Sequence, residues 1–139
     1  QVIKTARQGR FPADQITAVP AEWQKVLLDG PYKNGADIHI SKAVQALISF
    51  GELNLIDDWP MQRKFDVIFC RNAAIYFDKA TQARLWKRFA EVLVDDGHLM
   101  IGHSERLSGP AESRFSSVGI TTYRKNNSHN TCGTGPNEG

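Results

Sequence analysis

Cysteine is scarce: the chain of 139 residues holds two, Cys70 and Cys132. Two thiols cannot build a disulfide framework, so a reducing cytoplasm is the expected setting. No run of 18 apolar residues occurs, and no membrane-inserted helix is expected. The opening residues QVIKTARQGR hold no apolar core, so no secretory signal is expected. Neither sign of charge dominates. Seventeen Lys and Arg stand against 15 Asp and Glu, a formal net charge of +2. The basic stripe of a general nucleic-acid binder is therefore missing, and no nucleic-acid partner is expected. The histidines, at 39, 98, 103 and 129, and the two cysteines follow no zinc-ligand spacing, so no metal site is expected. Neither G-x-G-x-x-G nor G-x-x-x-x-G-K occurs, which excludes the two common glycine-rich phosphate loops. No G-x-S-x-G elbow occurs either. In His103-Ser104-Glu105 neighbouring side chains point in different directions, so a hydrolytic triad is excluded.

What is present is ordinary for one folded domain. Hydrophobic residues make up 41% and charged residues 23%, enough apolar surface to exclude a wholly disordered chain. Residues 1–9 read as the end of a helix, with Val2, Ile3 and Ala6 on one face and Gly9 as the residue that ends it. The first residues carry no cap, and the expectation is a piece of a longer protein. Residues 10–47 read as a small β-subdomain. It contains a short helix from Ala21 to Leu28, a turn-rich stretch from Asp29 to Gly35 and an alternating strand from Asp37 to Ser41.

The segment 48–56, ISFGELNLI, reads as a strand. So does 65–70, FDVIFC, whose unbroken apolar run is expected to be covered on both faces. Residues 79–94 carry the helical stripe Leu85, Phe89, Val92 and Leu93, with Trp86 beside it and Asp78 as cap. Asp95-Asp96-Gly97 is expected to stop that helix, before a strand at 98–102. Strand, helix, strand over 65–102 predicts a parallel βαβ unit. Phe115 to Ile120 and Thr121 to Lys125 read as a closing pair of strands, with Thr and Tyr suited to an edge. Residues 48–125 thus form one α/β unit. The tail 126–139 has no aliphatic or aromatic side chain and is expected to be disordered.

In open α/β sheets, ligands bind beyond the carboxyl ends of the parallel strands. Arg71 and Asn72 follow one such strand. His103, Ser104 and Glu105 follow the next, and Asn54, Leu55 and Asp57 lie at the end of the 48–56 segment. The result is a polar crown on a Rossmann-like half-sheet. A guanidinium at a strand end suits a two-point grip on a carboxylate, or else a surface ion pair with an Asp. Asn72 suits either a ligand hydrogen bond or a turn. Tyr76, between Ile75 and Phe77, suits either a site or core packing with a wet hydroxyl. Cys70 reads as a buried strand residue.

The run FDVIFCRNAAIYFDKATQARLWKRFAEVLVDDGHLMIGHSERL, residues 65–107, resembles the CheR family. These are chemotaxis receptor methyltransferases that use S-adenosylmethionine. The family pattern is approximately F-D-x-I-F-C-R-N-x-x-I-Y-F, then a helix, then G-x-L-x-I-G-H-S-E. LNLIDDWP upstream resembles the family's Asn-Leu strand end, RFSSVGITTYRK downstream its last hairpin, and ARQGRFPADQI, more loosely, its earlier part. About 1–125 is covered.

The resemblance implies a class I methyltransferase fold: α/β, a partial Rossmann-like sheet with a small antiparallel β-subdomain. It implies a protein-glutamate O-methyltransferase that forms glutamate methyl esters on the cytoplasmic domain of chemotaxis receptors. S-adenosylhomocysteine would be the product, and a regulatory protein would be a further partner. Asn54 and Leu55 match positions lining the adenosine of the cofactor. Arg71 and Asn72 match the strand end bordering cofactor and incoming glutamate, and Tyr76 matches a tyrosine near the transferred methyl. Arg71 and Tyr76 are therefore the catalytic candidates. Asn54, Leu55, Arg71 and Asn72 are the cofactor-binding candidates.

The family's glycine-containing cofactor loop, its ribose-holding acid and its helical domain lie upstream of residue 1. Weak cofactor binding by this chain alone is therefore expected, as is self-association of the isolated piece. Some members dock a receptor peptide through an Arg followed by three spaced glycines. Here Asp29-Gly30 and Gly35 stand in that turn, so no such tether is expected. The rival reading is a non-catalytic regulatory or docking module derived from a methyltransferase.

Overall fold

A computed structural model describes residues 1–30 and 36–128. The predicted turn through Gly35 and most of the predicted disordered tail, with Cys132, lie outside the described residues. The chain divides into two compact units, Gln1–Leu53 and Asn54–Gly139.

In the first unit, helix α1 spans Val2–Gln8 and ends at Gly9. Gly9 has φ 61°, a left-handed conformation that glycine adopts without steric cost, and its N–H donates to the Ala6 carbonyl at 3.1 Å. Strand β1, Arg10–Phe11, follows, then helix α2, Ala21–Leu27, strand β2, Ile38–His39, and a single helical turn α3, Lys42–Gln45. β1 and β2 pair antiparallel, with Phe11 opposite Ile38. Ile16, Leu28 and Ile38 form a small core beneath them. The predicted strand over 48–56 is absent. Nothing in it enters a backbone ladder, and the boundary between the two units falls inside it. Apolar content permits a strand, but only a partner's N–H and C=O groups make one.

The second unit is a four-stranded sheet with one long helix. Strand β3 spans Phe65–Cys70, helix α4 Lys79–Val92 and strand β4 Leu93–Ile101. β3 and β4 run parallel, as the βαβ reading requires. β5, Phe115–Ser117, and β6, Thr122–Lys125, close the sheet in the order β3-β4-β6-β5. Asp78 caps α4 by accepting from the Thr81 N–H at 2.8 Å. The helix buries Leu85, Trp86, Phe89 and Ala90 against Cys70, Leu93, Leu99, Ile101 and Phe115.

Three expectations are corrected here. The helix stops at Val92, because Leu93 is already extended, and Asp95-Asp96-Gly97 lies within β4. Asp96, at φ 61°, accompanies the register shift from Phe65↔Leu93 to Val67↔His98. A Cβ on Gly97 would meet the Val94 carbonyl at 2.8 Å, so the shift needs glycine there. Next, β3 is covered on one face only. Ile68 and Cys70 join the core, while Phe65, Val67 and Phe69 turn the other way and Phe69 is 70% exposed. Within this unit the long helix α4 packs on the core face of the sheet. Finally, the Thr- and Tyr-bearing strand β6 is internal, and β5 forms the edge.

Candidate active site

β3 ends at Cys70, and the chain turns sharply there. Asn72 adopts a left-handed backbone, φ 59°, a conformation asparagine tolerates better than most residues. A 3₁₀ turn, Ala74–Tyr76, follows. Two buried side chains hold this turn from opposite ends. Glu105, 3% exposed, lies just past β4. Its Oε1 accepts from the Ala74 N–H at 2.8 Å and from the Ile75 N–H at 3.3 Å, and its Oε2 accepts from the Gly102 N–H. Gln82 of α4 donates through Nε2 to the Ala74 carbonyl at 2.9 Å and the Phe77 carbonyl at 3.0 Å. Hydrogen bonds to a buried carboxylate are among the stronger kind. Gly102 is pressed against the same place: a Cβ there would meet Asn72 Oδ1 and Glu105 Oε2, both at 2.9 Å.

The consequence is a braced platform that turns its candidate side chains outward. Tyr76 is 81% exposed, which removes the core-packing alternative for it. Arg71 and Asn72 are exposed too. Among the described residues Arg71 enters no ion pair, so the surface-pair alternative finds no support. Arg71, Asn72 and Tyr76 are thus brought together on one short segment.

Asn54 and Leu55 belong to another segment. Asn54 Nδ2 donates to Asp57 Oδ2 at 2.8 Å, and its Oδ1 accepts from the Ile56 N–H at 3.1 Å. Leu55 is half-buried against the main core. Arg88 of α4 fastens this loop by donating through Nη1 to the carbonyls of Leu55, Ile56 and Asp57, and its guanidinium lies 5.7 Å from the Trp59 ring centre. No hydrogen bond among the described residues joins Asn54 or Leu55 to Arg71, Asn72 or Tyr76.

Cys70 is chemically quiet. Burial, with the negative charge of Glu105 added, pushes its thiol up to about 11. It stays protonated at neutral pH and is neither a nucleophile nor a ready metal ligand. No group of three His, Cys, Asp or Glu among the described residues could hold a metal ion.

Sequence reasoning missed two anchoring residues, Gln82 and Arg88, and placed Glu105 in the polar crown without its anchoring role. Gln82 left one signal, a polar residue at the start of the apolar stripe of α4. Glu105 left none beyond its place after a strand.

A parallel βαβ unit with a polar, outward-facing loop at the strand end defines an α/β ligand-binding domain of the Rossmann kind. The model of the CheR methyltransferase, SAM binding domain matches residues 1–124. The chain belongs to that family, whose cofactor is S-adenosylmethionine. A probable chemotaxis protein methyltransferase of Rhizobium etli is 43% identical over 125 residues, covering 89% of this chain and 47% of the relative. Chemotaxis protein methyltransferase 2 of Pseudomonas aeruginosa is 37% identical over 124 residues, 88% of this chain and 44% of the relative. The chemotaxis protein methyltransferase of Escherichia coli is 33% identical over 125 residues, 88% and 43% respectively. The chain therefore spans about half the length of the curated relatives it matches. No helix among the described residues is long and apolar enough to cross a membrane.

Proposed function

We propose that the chain serves, as part of a longer enzyme, to transfer a methyl group from S-adenosylmethionine to glutamate side chains of chemotaxis receptors in the cytoplasm. The product is a glutamate methyl ester. The observation that carries this is the braced turn after β3, which presents Arg71, Asn72 and Tyr76 together at the carboxyl end of a parallel strand. The names of the relatives, chemotaxis protein methyltransferases, support the same reading.

The chemistry of these residues suits the cofactor. Arg71 offers a cation where cofactor and incoming glutamate meet, and Asn72 a paired donor and acceptor for the cofactor's polar groups. Asn54 and Leu55 offer an amide and an apolar surface for the adenosine. When bound, the cofactor supplies a methyl group already activated by a positively charged sulfur.

The protein's share is then placement. A glutamate has an ordinary pKa near about 4.3 and is ionised at neutral pH, so no general base is needed. Arg71 holds the incoming carboxylate so that one oxygen faces the methyl. Its grip has to be moderate, because binding the ground state as well as the transition state gains no rate. Tyr76, through its ring or hydroxyl, positions the reacting groups and excludes water.

Calorimetric titration with S-adenosylhomocysteine tests this. Saturable binding, weakened by Asn72→Ala, is the expected result. A flat titration of this chain would mean that it is not a self-sufficient cofactor site; a flat titration of the longer protein that carries it would favour a non-catalytic docking module. The uncovered face of β3 is the observation on that module's side.

The same face supports a proposal about the isolated chain. An edge strand with exposed Phe65, Val67 and Phe69 invites pairing. The isolated chain is expected to sediment as a dimer or larger species, and Phe69→Lys to shift it toward monomer. A wild-type monomer at every concentration tried would sink this expectation.

A further inference from the structure

We propose that Glu105 is a positioning residue for methyl transfer: it never touches the reactants, and sets the loop that does. The inference rests on the methyltransferase reading above. Glu105 is buried and ties two strand ends together. One carboxylate oxygen takes the first N–H groups of the Ala74–Tyr76 turn, and the other takes the Gly102 N–H at the end of β4. A carboxylate can do this because both oxygens only accept; an amide in its place must put an NH₂ against one set of N–H donors. Gln82 completes the brace from α4 by taking the carbonyls of Ala74 and Phe77. Ala74 is thus held at both its N–H and its C=O by side chains from two different elements. Two residues further on stands Tyr76, and two residues before stands Asn72, itself wedged against Gly102. Loosening the brace therefore moves the flanks that carry Arg71 and Tyr76, while α4 and β4 keep their own ladders.

The test uses the longer enzyme that carries this chain with Glu105→Gln, and Gln82→Met as a second variant that leaves the carboxylate in place. Three quantities are read: hydrogen exchange at single amides, S-adenosylhomocysteine affinity, and the kcat and KM of transfer to a receptor cytoplasmic domain. In both variants exchange at Ala74, Ile75 and Tyr76 is expected to rise at least about tenfold, with α4 amides still protected. The rate constant kcat is expected to fall on the order of 10- to 100-fold, with KM for the receptor changed less than about threefold, as for misplaced reacting groups. Uniform acceleration of exchange through α4 and β4 would make Glu105 a merely structural residue and overturn the proposal. So would an unchanged kcat beside a loosened turn. A longer wild-type enzyme without transfer overturns the underlying reading as well, and differs visibly from a wild-type enzyme that works beside a variant that works equally well.

Discussion

Arg71→Ala is expected to lower kcat/KM for methyl transfer by on the order of 10²- to 10³-fold, the scale for removing one aligned charged donor from a reacting centre. Stability should change by less than about 0.5 kcal/mol, because an exposed side chain without a fixed partner contributes little to folding. Those two outcomes together separate a functional arginine from a structural one. Among the described residues Arg71 makes no ion pair, so its removal leaves no stranded charge behind. Arg71→Lys should recover only part of the rate, since an ammonium presents a point charge where a guanidinium presents a planar fork. Initial rates of labelled methyl transfer, with urea unfolding alongside, would measure both. An alanine variant within threefold of wild type would remove Arg71 from the mechanism.

Trp86→Ala should cost about 3–5 kcal/mol of stability, the usual range for emptying a fully buried tryptophan site. Trp86 has no exposed surface at all and lies beside Phe89, with ring centres 6.0 Å apart. It sits at the centre of the contact between α4 and the sheet. A loss of that size is a large share of the 5–15 kcal/mol or so that a domain commonly has. Trp86→Phe should be milder for two reasons. It keeps most of the ring volume, and it removes an indole N–H that has no hydrogen-bond partner among the described residues. Denaturant midpoints for both variants would check this. A cost below about 1 kcal/mol for the alanine variant would contradict the packing described.

The unit over 65–125 was largely legible in the residues. β3, α4 and β4 announce themselves because their apolar spacing changes from strand to helix and back, and Asp78 marks the helix start with its own side chain. The 48–56 segment misled for a reason of the same kind. Its composition suits a strand, but composition cannot say whether a neighbouring strand exists. β3 misled in the opposite sense: VIFC looks doubly covered, and its covering depends on elements that its own residues do not encode. At the candidate site, position after a strand singled out Arg71 and Asn72, and the family resemblance singled out Tyr76. The brace behind them was illegible. Glu105 and Ala74 are 31 residues apart, and nothing local in either announces the bond.

The order β3-β4-β6-β5 has a consequence for how the protein is made. β5 is synthesised before β6, yet its partner in the sheet is β6, and β4 receives its second neighbour from β6 as well. A nascent chain that has reached Ser117 thus holds one finished parallel pair, an open edge on β4 and a strand with nothing to join. Only when Thr122 to Lys125 emerge can β6 slot between β4 and β5. Lys125 then sets its ammonium on the Leu93 carbonyl at 2.8 Å, at the junction of α4 and β4. Completion of the sheet waits on this one strand, and until then the exposed β4 edge is where a ribosome-bound chaperone would have something to protect.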